Sequence, residues 1–75
     1  IRETTMTRTL TGKFSSVAAA RNAHEDLIGT GFPNEKIFLD REAAEVKVIT
    51  SADGEREVRE ILGRHQPSEI VEHSI

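Results

Sequence analysis

Period-two and period-3.6 hydrophobic patterns alternate along these 75 residues in the order strand, helix, strand, strand, helix, strand. Leu27-Ile28-Gly29 and Pro33-Asn34-Glu35 recur 34 positions later as Ile61-Leu62-Gly63 and Pro67-Ser68-Glu69, and the same shift lays Phe14 over Val48 and Gly12 over Val46. Two related strand-helix-strand units predict an α+β fold, the ferredoxin-like βαββαβ sandwich, with a four-stranded antiparallel sheet carrying both helices on one face. A chain of this length supports one domain, so residues 1–75 are read as a single unit with 1–4 as a disordered N-terminal tail.

The run Thr5 to Phe14 places Met6, Leu10, Gly12 and Phe14 on one parity and Thr5, Thr7, Thr9, Thr11 and Lys13 on the other, the pattern of a half-buried strand. Ser15 or Ser16 then caps a helix whose apolar stripe is Val17, Ala20, Ala23, Leu27 and Ile28. Gly31 is expected in the left-handed conformation that ends helices, with Phe32 folded back on the last turn and Pro33 barring continuation. Glu35 to Asp40 and Ala44 to Thr50 read as strands joined tightly through Arg41-Glu42-Ala43, with Ile37, Leu39, Val46 and Val48 inward. Ser51 and Asp53 are candidate caps for a second helix bearing Val58, Ile61, Leu62 and His65 on one side. Glu55/Arg59 and Glu60/Arg64 stand at acid-first i,i+4 spacing on or beside its solvent face. Gln66-Pro67 ends that helix and Ser68 to Ile75 is the last strand. The repeat maps Ile37 and Leu39 onto Val71 and His73, which points Val71 and His73 at the helices and leaves Ile70 and Glu72 facing away.

Composition narrows the functional classes. Thirteen acids against ten bases give a net charge of −3, which opposes attraction to a phosphate backbone or an anionic membrane, so neither nucleic acid nor membrane is an expected partner. Without cysteine there are no disulfides, thiolate metal sites or thiol nucleophiles. No segment approaches the ~20 apolar residues of a membrane span and the N-terminus lacks signal-peptide order, which makes the cytoplasm the expected compartment. The chain starts at Ile1 and reaches its single methionine at Met6, as a processed or trimmed piece of a longer product would.

Three histidines raise a metal or acid/base reading, but no His pair at i,i+4 and no His-Glu motif prepares a site, and no metal or cofactor is expected. His24 interrupts the apolar stripe of the first helix and is explained as an amphipathic ring at the helix edge; His65 and His73 take the same reading. Neither a nucleophile elbow nor a glycine-rich phosphate cradle is present, so no catalytic residues are expected and the chain is read as a non-enzyme. Lys13, Ser15 and Ser16 at the start of the first helix, with His24, form the candidate site for a small anion, weighed against the simpler reading that the serines only cap. The sheet face left uncovered by the helices should be mostly polar, with Thr9, Thr11, Lys13, Glu45 and Lys47. Phe38, Ile49 and Ile70 are its apolar members and the candidate interface for a protein partner or a second copy.

Phe14-Ser15-Ser16, Ala20, Leu27, Gly31-Phe32, Glu45-Val46-Lys47-Val48 and Glu60-Ile61-Leu62-Gly63-Arg64-His65 together resemble the small domain of the bacterial heat-induced general stress proteins. The resemblance runs over nearly the whole chain, although His24 stands where that family is usually apolar. It implies a stress-associated, non-catalytic module and supplies no catalytic residues. Other families of this fold lack their marks here: strand aromatics of the RNA-recognition type, paired cysteines of copper chaperones, and the first-loop arginine and placed asparagine of acylphosphatases. An ACT-like module sensing small molecules or anions is not excluded by any residue missing from the chain and is the alternative.

Overall fold

The computed structural model describes residues 7–74, with side chains for 7–72. Strand β1 (Thr7–Lys13) is followed by helix α1 (Val17–Thr30), strands β2 (Ile37–Asp40) and β3 (Glu45–Ser51), helix α2 (Glu55–Gly63) and strand β4 (Glu69–Ser74). Short 3₁₀ turns at Asn34–Lys36 and Ala52–Gly54 precede β2 and α2. All strand pairs are antiparallel and the sheet order is β2-β3-β1-β4, the ferredoxin-like arrangement that the repeat predicts. The anticipated tail at residues 1–4, and Met6, lie outside the described residues. Among those described, no helix is long and apolar enough to cross a membrane.

Local chemistry accounts for α1. The Ser16 hydroxyl accepts from the Ala19 amide at 3.1 Å, so Ser16 rather than Ser15 is the cap. At the other end Gly31 has φ 119°, its amide donates to Ile28 O and that of Phe32 to Leu27 O, the paired bonds of a Schellman ending. Phe32 folds back onto the core, as expected. Helix α2 departs from the sequence reading: neither Ser51 nor Asp53 caps it, because the 3₁₀ turn carries the chain in through Gly54 without a side-chain cap. Acidic Glu55 and Glu57 in its first turn complement the free amides there instead. The β2–β3 connection is Arg41 to Ala44, closed by Asp40 Oδ1 accepting from the amides of Glu42 (3.1 Å) and Ala43 (3.2 Å), with Ala44 at φ 55°.

The core lies between the sheet and the helices. Leu10, Ala20, Ala23, Leu27, Val46, Val48, Val58 and Leu62 are fully buried, with Ile61, Ile37 and Phe14 nearly so. Gly12 eases this closeness: a Cβ there would stand 3.1 Å from the Phe14 ring and 3.3 Å from Leu62, tight enough that both would have to give by a few tenths of an ångström.

One strand reverses its expected faces. Gly12 is opposite Ile70, Leu10 opposite Glu72 and Thr11 opposite Val71. Cross-strand partners share a face, so Ile70 and Glu72 lie under the helices and Val71 lies on the open face. Ile70 packs against the core; it is not part of the uncovered surface assigned to it from the sequence. The cause is countable. Ile37 follows Gly29 by eight positions, whereas Ile70 follows Gly63 by seven, because the 3₁₀ turn Asn34–Lys36 takes up a residue that the second connection lacks. A one-residue slip exchanges the faces of a strand. The side chain of His73 lies outside the described residues.

Candidate functional site

The uncovered sheet face is organised in rows by the strand register. Asp40, Glu45, Lys13 and Glu69 form one row from β2 to β4, and Phe38, Lys47, Thr11 and Val71 form the next. Beyond them Ile49 pairs with Thr9, and Ser51 with Thr7. Phe38, 49% exposed, is the most exposed large apolar residue among those described. Ile49 and Val71 are half-buried. Thr11 is only 8% exposed although no helix covers it, since it sits in register between Lys47 and Val71. Beside Phe38 a shallow depression of about 410 Å³, lined also by Leu39, Asp40, Glu45 and Lys47, wraps the free edge of β2. Of the predicted interface residues, Phe38 and Ile49 are on this face, and Val71 takes the place of Ile70.

The candidate anion site is not assembled. Strand alternation sends Lys13 to the open face, where its Nζ is 3.9 Å from Glu69 Oε1. Ser16 spends its hydroxyl on capping α1, which lies on the other face, and Ser15 is exposed. His24 is half-buried two turns further along α1, about 12 Å from Ser16 by helical rise. Lys13 and Ser16 therefore do not converge on one point. Among the described residues, no three His, Asp or Glu side chains are grouped to hold a metal ion.

A feature of which the sequence reading held only the Glu55/Arg59 pair lies on the helix side. Arg8, Glu55, Arg59 and Glu72 close a ring that joins β1, α2 and β4. Arg8 donates to Glu55 Oε1 and Glu72 Oε2, both at 2.7 Å, and Arg59 donates to Glu55 Oε2 at 2.9 Å and Glu72 Oε1 at 2.8 Å. Partial desolvation pushes the Glu72 carboxyl up, but hydrogen bonding with Arg59 and Glu55 and the charge of Arg8 outweigh it and hold the group below the ordinary glutamate value. The Arg59 guanidinium is held above its ordinary value, chiefly by its bond to Glu55. The signal was present in the sequence: Arg8 shares the parity of Leu10 and Gly12, so β1 aims a cation at the covered face. A second tie connects the helices, His65 Nε2 standing 3.0 Å from Asp26 Oδ2 with Arg64 at 3.7 Å from the same oxygen. Both clusters tie elements together, and Glu55 and Arg59 also line an open depression with Ala52 and Arg56.

Comparison with family models, with curated proteins and with solved structures finds no match to this chain. The likeness to the heat-induced stress proteins thus rests on the short motifs from Phe14 to His65 alone.

Proposed function

We propose that this chain is a non-catalytic association module whose open sheet face pairs with a second copy of itself. The observation that carries the reading is the register of that face. With a two-fold axis lying along the strands between β1 and β3, Phe38 of one copy falls over Val71 of the other, and Lys13 over Glu45, each contact made twice. The same operation sets Asp40 over Glu69, an acid pair made twice, so the self-complementarity lies in the Phe38/Val71 and Lys13/Glu45 contacts and the flanking acids weaken it. Its extent is modest: four strands at ~4.8 Å spacing and about seven residues of ~3.3 Å rise give a face of about 450 Å² per copy. That is below the ~800 Å² per partner of a stable standard interface, so the dimer is weak and reversible.

Sedimentation of the chain across concentrations up to about a millimolar should show a reversible monomer–dimer equilibrium. Phe38→Asp, on an exposed position, should remove it without changing the fold. A mass that stays monomeric throughout, or a dimer indifferent to Phe38→Asp, overturns the reading.

A further inference from the structure

Strand β3 is longer than its neighbour β2, and the difference leaves a notch at one corner of the sheet. The last β2–β3 pair is Ile37 with Val48, so Ile49, Thr50 and Ser51, paired with β1 on one side, run on with no strand on the other. The direction of their backbone groups follows from the ladder. Phe14 N donates to Ala44 O at 2.9 Å, continuing the β1–β3 register, so even-numbered residues of β3 turn their amides and carbonyls toward β1 and odd-numbered ones toward the β2 side. Glu45 and Lys47 meet β2 there. Ile49 would next exchange bonds with Lys36, but the 3₁₀ turn diverts the Lys36 amide to Pro33 O at 3.0 Å. Ser51, one step further, directs its amide to the same side, past the end of β2.

The space is a depression of about 320 Å³, near the lower end of small-ligand sites, with Phe32, Pro33 and Ile49 as apolar walls and Thr7, Lys36 and Ser51 supplying polar groups. Among the described residues Lys36 makes no ion pair. An unused cation, an amide pointing into the space and apolar walls are complementary to one chemical class. We infer that this notch binds a small carboxylate carrying a compact apolar body: Lys36 and the Ser51 amide take the carboxylate, and the body lies against Phe32, Pro33 and Ile49. The site belongs to a single chain and shares Ile49 but not Phe38 with the open face, so Phe38→Asp removes the pairing without altering the lining of the notch.

The test is a titration of the ¹⁵N-labelled chain with benzoate and with 4-methylpentanoate, followed by amide resonances. Saturable shifts centred on Ser51 and Ile49, with a dissociation constant of about a millimolar for molecules of this size in an open notch, are expected. Benzamide, which keeps the body and loses the charge, and acetate, which keeps the charge and loses the body, should each bind at least several-fold more weakly. Lys36→Gln, an exposed substitution, should abolish saturation, while Phe38→Asp should leave it intact even as dimerisation is lost. Absence of a saturable shift at Ser51, equal binding of benzamide or acetate, or an undiminished response in Lys36→Gln overturns the assignment. A response that vanishes in Phe38→Asp also overturns it, because the site would then belong to the dimer.

Discussion

Exchanging Ile70 for Asp and, separately, Val71 for Asp decides which way β4 faces. Ile70 is half-buried on the covered side opposite Gly12 and packs on the core, whereas Val71 lies opposite Thr11 on the open side. Fully burying an isoleucine is worth about 1.5–3 kcal/mol, so its partial loss costs roughly 1–2 kcal/mol. A carboxylate at that position is also desolvated, for about 1–3 kcal/mol, and shares its face with Glu72 two residues on. Ile70→Asp should therefore cost about 3 kcal/mol, a large part of the roughly 4–11 kcal/mol expected for a chain of this size. At about 4–8 °C per kcal/mol for a small domain, its melting temperature falls by about 12–24 °C. Val71→Asp remains in solvent and loses only strand preference and local packing, up to about 1 kcal/mol. Without Trp or Tyr the chain has no useful intrinsic fluorescence, so urea and thermal unfolding are followed by far-ultraviolet circular dichroism. If Val71→Asp costs as much as Ile70→Asp, or more, the register of β4 is wrong and the repeat-based assignment is restored.

The ion-pair ring makes stability depend on acid. The Glu72 carboxyl titrates below its ordinary value of 4.5, so its contribution is fully present above that value and is lost as pH falls through the lower, folded-state value. Urea midpoints measured down through the acid range should decline less steeply in Glu72→Gln than in the parent; parallel curves would refute a role for the ring. Gly54→Ala should reverse the usual sign of a glycine replacement near a helix start. Gly54 has φ −90°, which alanine accepts, and entropy alone would favour the change by about 0.4–1 kcal/mol, but the new Cβ would overlap Thr50 Oγ1. The variant should be destabilised in the parent and stabilised in a Thr50→Ala background; the same sign in both would show that the contact does not matter.

Much of the fold was legible because its signals are local. Alternation in β1 and the Gly31-Phe32-Pro33 stop act within a few residues and are realised, as is the middle of the α1 stripe at Ala20, Ala23 and Leu27, whereas Val17 and Ile28, assigned to the same stripe, are exposed at its ends. Features that depend on how strands meet were less accessible. The repeat matched residues by position in the chain, while faces are set by pairing, so a connection one residue longer in the first half misplaced Ile70, Val71 and Glu72 together. The Arg8–Glu55–Arg59–Glu72 ring was hidden by the same error, since a Glu72 on the open face cannot reach α2. Lys13 and Ser16 illustrate the opposite case: they are neighbours in sequence, yet strand parity alone already separates Lys13 from the helix-covered side.

The turn at Pro33 to Lys36 ties these points together. Pro33 at φ −64° leads into a 3₁₀ turn in which the Lys36 amide returns to Pro33 O. That bond removes Lys36 from the ladder, so β2 begins only at Ile37 and pairs with four residues of a seven-residue β3. The same extra residue that breaks the equivalence of the two halves therefore also opens the corner notch, leaves the Ser51 amide without a strand partner and sets Lys36 at its rim. A connection as short as the one before β4 would let β2 run on beside Ile49 and close that space. One local backbone choice accounts for both the failure of the internal repeat at β4 and the presence of the small-ligand site proposed here.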